Sequence, residues 1–465
     1  MNDPAMDPAD ARDTLVAGLG RRGFLRAATA VTTVASAATV LTQGRARAAE
    51  SAKDPAVAFP KEILQPGRGA VHGTHYLPSV PDQVRWGYVP ARDAKPVLRM
   101  RSGETVTVDT LSHEGLLEDQ GRDPAAYFAR HGVRADQVLG DAIAVARDYT
   151  RTPRDFDADG PHVVTGPIHV VGARPGDVLK IEMLSILPRV PYGVVTSRHG
   201  KGALARQSGG SAPAGITLDE VMPPVSTDGR PVDDPADYGN VSLFTPVRRG
   251  TGKTLNGVMP VGTSGEVTFP LNPHMGMMGV AFASGDTLTA PALNSVPPTL
   301  GGGNIDINLL TQGSTFYLPV FAEGALFYTG DPHMAMGNGE VALTAMEGSL
   351  RTTFRLTVCR RGSGDAPSVA FHYPFAETPD AWVAVGLSDP DGIPNSLVSD
   401  LDVAMRRAVV NALDFLQHDL GMSRSVAYAY LSAAADFQVS QVVDRTVGVH
   451  GVIKKDHFHD KHHAR

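Results

Sequence analysis

The feature that most limits the fold is the run from Val178 to Leu184. Leu179, Ile181 and Met183 alternate there with Lys180 and Glu182. A period of two places one face against a core and the other toward water, which is a half-buried strand and not a helix. The preceding Arg174-Pro175-Gly176-Asp177 has proline then glycine at its two middle positions, which suits a type II turn. With Pro167–Val171 before it, the segment reads as a hairpin. Pro96–Met100, the turn Ser102-Gly103-Glu104 and Thr105–Val108 repeat the pattern, and "Leu-Ser" follows each copy. The two hairpins read as equivalent parts of a β-sandwich or barrel. Further short strands are expected at Glu266–Phe269, Ser314–Phe321, Ala325–Tyr328, Glu340–Ala345 and Arg351–Cys359. Residues 185–260 read as long loops and an insertion. With 49 glycines and 35 prolines in 465 residues, the composition suits many turns between short strands.

The C-terminal part changes period. Met405, Val409, Ala412, Leu413 and Leu416 fall at helical spacing. Ser399 with Asp402 forms a capping-box-like start, and Gly421 a stop. Ser423 opens a second helix to about Ala435. Strands follow at Phe437–Val443 and Val447–Ile453. The fold class is therefore mainly β with some α, the helices lying at about 399–435.

At the other end, Arg21-Arg22-Gly23-Phe24-Leu25-Arg26 precedes an apolar run from Ala27 to Leu41 and the small-x-small site Ala46-Arg47-Ala48. This is a twin-arginine (Tat) signal pattern over residues 1–48, which predicts export to the periplasm or beyond. Residues 49–70 read as an extended lead-in, 71–453 as one domain and 454–465 as a disordered His-rich tail. The full chain carries 42 − 49 = −7; residues 1–48 hold six Arg and four Asp, so the remainder is −9. An acidic surface argues against nucleic acid and anionic membrane as partners. The single cysteine, Cys359, rules out an intrachain disulfide.

No Gly-x-Ser-x-Gly elbow is present, and Ser208-Gly209-Gly210-Ser211 lacks a nearby Ser-x-x-Lys partner. Cys359 ends an alternating strand and reads as a passive thiol. It also lacks the closely following His and Met that a blue-copper carrier needs. Histidine and carboxylate chemistry remains. The densest stretch is Gly330–Val341, where Asp331, His333 and Glu340 share a loop that three glycines and a proline hold off regular structure. Asp and His two apart can reach one cation, leaving Glu340 as a third ligand or a base. Asp109, His113, Glu114, His162, His274 and Asp306 are further candidates, most at strand ends where loops of a β scaffold converge.

Gly166-Pro167-Ile168-His169-Val170 leading to Pro175-Gly176-Asp177-Val178-Leu179 resembles a signature of the acetamidase/formamidase family. So do Asn294-Ser295-Val296-Pro297-Pro298 with Gly302-Gly303-Asn304-Ile305-Asp306, and Tyr317-Leu318-Pro319-Val320 with Gly324-Ala325-Leu326. The Gly330 loop is similar to that family's acidic loop, and the match runs in order from about Val71 to Ile453. The resemblance implies a β-rich fold, hydrolysis of a small amide with release of ammonia, a divalent metal (zinc first) and a homo-oligomer. Asp331, His333 and Glu340 match that family's loop and His113 a histidine of its longer members; metal-assisted hydrolysis would then use His113, Asp331 and His333 as ligands and Glu340 as the general base, with Glu114 second. His162, His274, Asn304 and Asp306 would line the substrate site, with Asn304 toward an oxyanion. The chain departs from the family at Asn338, where Asp is usual, and at Met334, Met336 and Gly301. An amide-binding protein of the same fold without turnover is the alternative expectation.

Overall fold

The computed structural model describes residues 62–458, apart from 157, 199–200, 206–210, 222–239, 252–253, 263 and 392–399. The signal pattern, Ser399 and the end of the His-rich tail lie outside the described residues. Two open sheets, of nine and eleven strands, share one core. Phe354 of the nine-stranded sheet meets Phe327 of the other with ring centroids 5.3 Å apart, both fully buried. No helix among the described residues is long and apolar enough to cross a membrane.

The strands Leu98–Arg101, Thr105–Asp109, Val163–Val171 and Val178–Pro188 form where the alternation predicts. They do not pair as hairpins. Leu98–Arg101 pairs in parallel with Val163–Val171 in the eleven-stranded sheet. Thr105–Asp109 and Val178–Pro188 flank Leu350–Cys359 in the nine-stranded sheet. Each turn thus crosses from one sheet to the other, and the two units are equivalent as arches. Alternation reports which face of a strand is buried but not which strand lies beside it.

Other expectations are corrected. Phe327–Ala335 is a fully buried strand where the sequence suggested a glycine-rich loop. Its neighbours His274–Gly279 and Met346–Glu347 supply the hydrogen bonds that a solvated turn would take from water. Glu340–Ala345 is not a strand, because Glu340 and Leu343 adopt φ of 44° and 81° and a turn bond runs from Leu343 N to Glu340 O. Residues 185–260 hold the strands Tyr192–Ser197, Val241–Arg249 and Leu255–Val261, which extend the larger sheet. Two short helices, Pro124–Ala129 and Gly140–Asp148, precede these strands, and Phe128 of the first meets Tyr192 with ring centroids 4.8 Å apart.

The C-terminal helices are Leu401–His418 and Arg424–Ala434, close to the expected bounds. Asp400 caps the first through a bond from Asp402 N, and Ser423 is the N-cap of the second. Gly421, at φ 69°, breaks the chain between them. Within the lead-in, Leu64 is buried and exchanges hydrogen bonds with Arg189. Lys455–His457, at the start of the expected tail, form a short 3-10 turn whose His457 meets the Tyr430 hydroxyl.

Candidate metal centre

Strand register builds the site. His274 lies opposite His333 on the neighbouring strand, and His333 lies opposite Glu347 on the next. The three residues form a row across three strands. Asp331, two residues before His333, points to the same face. Its φ of 48° is left-handed, an uncommon and strained state for a residue with a side chain. Asp306 (φ 49°) follows the Gly302–Asn304 strand on the far side of His274–Gly279, and Glu340 (φ 44°) sits in the loop after Ala335. His162 precedes the Val163–Val171 strand. His113 comes from the loop after Thr105–Asp109 in the other sheet, and Asp444 from the connection between the last two strands.

All these groups are buried. Among them, His113 has no hydrogen-bond partner for either ring nitrogen. Asp306 has none for either oxygen, and Asp331 Oδ1, Glu347 Oε2 and Asp444 Oδ2 are likewise unpartnered. Such orphans are costly in an interior of low polarity unless a proton or a cation satisfies them, and Asp306 and Asp444 lie close enough to share one. His113 Nδ1 and His162 Nε2 stand 3.9 and 3.8 Å from Asp331 Oδ1. His333 Nε2 is 3.0 Å from Asp331 Oδ2 and 3.5 Å from Glu347 Oε1.

A chain of bonds sets the orientation of His333. His274 Nδ1 lies 2.7 Å from the Asn272 carbonyl oxygen, so that nitrogen carries the proton and donates it. His274 Nε2 must then accept from His333 Nδ1, 3.3 Å away. His333 Nε2 then faces Asp331 Oδ2 at 3.0 Å, an approach met either by a second proton on the ring or by a cation that both atoms bind. An imidazole fixed through its other nitrogen is the usual arrangement of a metal ligand. Gly276 leaves the room. A Cβ there would lie 2.5 Å from His333 Cε1, 2.7 Å from Asp306 Oδ1 and 2.8 Å from Asp331 Oδ2. The nitrogen and oxygen donors, their orphaned atoms and this cleared space fit a divalent cation. Asp331 shares near approaches with His113 and Glu347, and with Asp306 and His333.

The electrostatics divide the carboxylates. Burial alone would raise the Asp331 carboxyl, but His333 above all, its ring nitrogen 3.0 Å away, holds it well below the usual range. Burial likewise opposes ionisation of Glu114, yet Arg198, His113 and Gln120 bring it down to about 2. Glu114 Oε1 takes bonds from Arg198 and Thr196, and Oε2 from Gln120. Glu347 is pushed well above the ordinary carboxyl range, by burial first and then by Asp331 and Glu114. Burial and neighbouring carboxylates raise Glu340 and Asp306 in the same direction. Burial lowers His162 to about 4 and His274 to about 3, so both are neutral at physiological pH.

Beside this cluster is a cavity with about 340 Å³ of empty space, part of it open to solvent. Phe128, Leu139 and Tyr192 supply its apolar wall, and Glu114 and Glu347 its polar end. The expected site residues His113, Glu114, His162, His274, Asp306, Asp331, His333 and Glu340 therefore converge. Asn304 joins them at the Asp306–Asp444 side, its amide facing Asp444. Sequence reasoning missed Glu347, Asp444 and Arg198. Glu347 is a single acid between Met346 and Gly348, and Asp444 follows Val442-Val443, so neither has a pattern that separates it from a surface acid.

The sequence model of the acetamidase/formamidase family matches residues 136–453, more than half of the chain. The chain belongs to that family. By family it is a hydrolase of linear amide bonds. It is 27% identical over 320 residues to an acetamidase of Mycolicibacterium smegmatis, covering 62% of this chain and 76% of that protein. It is also 27% identical over 331 residues to a formamidase of Methylophilus methylotrophus, covering 64% of this chain and 77% of the relative. The acetamidase structure from Bacillus halodurans superposes with a TM-score of 0.54 at 24% identity, over 82% of this chain and 98% of that one. That from Yersinia enterocolitica gives 0.57 at 21%, over 85% and 96%. At these identities the structural likeness speaks for the fold alone.

Proposed function

We propose that the chain is a metal-dependent amidohydrolase that cleaves a small carboxamide to carboxylate and ammonia. The observation that carries this is the row His274–His333–Glu347 beside Asp331. It sets an oriented imidazole nitrogen and an unpartnered carboxylate oxygen together, the latter lining a cavity. A divalent cation, zinc first, would supply Lewis acidity that polarises the carbonyl and makes water attack feasible near neutral pH. His113, Asp331 and His333 would hold it, with His162 adding a neutral nitrogen.

Amide resonance makes the carbonyl a poor electrophile and the nitrogen a poor leaving group, so one group must take the proton of water and return it to nitrogen. Glu347 suits that task best. Its Oε2 is unpartnered, it lines the cavity, and burial with Asp331 and Glu114 beside it raises its proton affinity above that of an ordinary carboxylate. Glu114, held ionised at about 2 and bonded at both oxygens, is too weak a base. Glu340 does not line the cavity, and we place it instead with Asp306 and Asp444. The apolar wall would accommodate the acyl side of the substrate. We also read residues 1–48 as an export signal; sequencing the N-terminus of secreted protein would check cleavage after Ala48.

The test is ammonia release from formamide, acetamide and propionamide by metal-loaded protein. Glu347→Gln should keep its metal and lose about 10²–10⁴-fold in kcat. Unchanged kcat in that variant would refute the role, and no ammonia from any amide would refute the reading.

A further inference from the structure

The segment expected as a lead-in is tied to the cavity. Residues 64–70 run along two fully buried arginines, Arg189 and Arg351. Arg189 Nε donates to the Leu64 carbonyl at 2.9 Å, and Leu64 N donates to the Arg189 carbonyl at 2.8 Å. Arg351 donates to the carbonyls of Gln65, Arg68 and Ala70. The Tyr76 hydroxyl accepts from Gly67 N and donates to Asp109, which pairs with both guanidinium groups. Buried guanidinium N–H groups need acceptors, and these backbone carbonyls supply much of that need. The segment is thus a fixed strap and not a loose leader.

Gln65 carries the strap's position to the cavity. Its Nε2 donates to the Val138 carbonyl at 2.9 Å, and its Oε1 accepts from Gly140 N at 2.8 Å. One side-chain amide therefore clasps the backbone on both sides of Leu139. Gly140 opens the helix Gly140–Asp148, where the first N–H groups have no partner within the helix, and Gln65 satisfies one of them. Val138, Leu139 and Ala142 line the cavity. The next helical residue after Gly140, Asp141, is held through both oxygens by Arg189, at 2.8 and 3.1 Å. Val190, which follows Arg189, lines the cavity as well, and so does Ser349, whose carbonyl accepts from Arg189 N. The strap and this wall form one bonded unit.

We propose that residues 64–70, through Gln65, set the position of the apolar wall and with it the size of acyl group the cavity accepts. Gln65 is a positioning residue, acting through Val138, Leu139 and Gly140. The consequence for acyl size rests on the amidase reading; the hold on the wall does not. Formamide carries only hydrogen on its carbonyl carbon and has nothing to lay against the wall. Propionamide carries an ethyl group, and one methylene in an apolar pocket is worth about 10–200-fold in selectivity. A wall released from its clasp loses part of that contact for propionamide and none for formamide.

The experiment compares the parent, Gln65→Ala and Gln65→Glu as full-length, metal-loaded protein. Gln65→Ala should raise KM for propionamide about tenfold, with its kcat and both constants for formamide within about twofold of the parent. Hydrogen exchange at the Gly140 amide should quicken at least about tenfold in the same variant. Gln65→Glu keeps the acceptor for Gly140 N and loses the donor for the Val138 carbonyl. It should bring exchange at Gly140 back toward the parent and give an intermediate KM for propionamide. Equal losses on both amides would indicate general damage and overturn the proposal. An unchanged KM for propionamide, or unchanged exchange at Gly140, would overturn it too. If the parent releases ammonia from no amide, the amidase reading fails on its own, and the exchange rates still decide whether the strap holds the wall.

Discussion

Gly276→Ala tests the site with one methyl group. The backbone there is not in the left-handed region, so alanine meets no conformational penalty and the effect is steric. The added Cβ would sit 2.5 Å from His333 Cε1, 2.7 Å from Asp306 Oδ1 and 2.8 Å from Asp331 Oδ2. An ordinary contact is about 3.5–4.0 Å, so these groups must retreat by roughly an ångström. None has free space, because His333 is held by His274 and the Gly276 carbonyl itself accepts from the Ile305 and Asp306 amides. Overpacking of this kind costs about 1–3 kcal/mol. A misplacement of that size near reacting groups costs on the order of 10²-fold in rate. Urea unfolding, metal content and ammonia release on the variant measure all three quantities. Gly337→Ala is the control, since a Cβ there has nothing within 4 Å. It should leave stability within about 0.5 kcal/mol of the parent. A Gly276→Ala protein with full metal content, unchanged stability and full activity would refute the geometry described above.

Three more outcomes are expected. Arg198→Met should cost about 3–5 kcal/mol in urea unfolding, because it strands the carboxylates of Glu114 and Asp119, and adding Glu114→Gln should restore part of it. In chelator, Asp444→Asn should stabilise the protein in a pH-dependent way. Burial raises Asp444 from 3.8 to about 7, so the folded state keeps a proton that the unfolded state releases as pH rises through that window. The penalty is absent below the unfolded value and reaches on the order of 4 kcal/mol by pH 7.5, so equal stability of variant and parent at both ends would contradict it. The Cys359 thiol, fully buried and pushed up to about 11 by burial, should resist a disulfide reagent at pH 8 until denaturant is added.

Much of the fold was legible because period reports burial. The alternation at Leu179–Met183 and the helical spacing from Met405 to Leu416 each located an element within a few residues. What alternation does not carry is partnership, so the two arches were taken for hairpins. The site was half legible for a related reason. Asp331 and His333 are neighbours in sequence and stand out. Glu347 reaches them only because Met346–Glu347 pairs beside His333, and Asp444 only because a loop a hundred residues further on folds back. Arg198 was hidden in a segment read as loop, and its role depends on Glu114 and Asp119 being buried with it. Glycine and proline around Asp331 suggested a solvated turn, but flanking strands on both sides supply the partners that keep that segment in the sheet, with Asp331 itself in a left-handed kink.

The wide spacing of the donors has a consequence in time. His113 comes from one sheet, Asp331 and Glu347 from the other, and Asp444 from the last strand connection. During synthesis the N-terminal strands emerge long before Asp444 exists. A growing chain therefore cannot assemble the complete set of donors, and its half-built carboxylate cluster must wait, solvated, for the last loop. Such long-range closure slows folding. Any cation this cluster binds would thus be captured late, as a lock on a finished chain and not as a nucleus for a growing one.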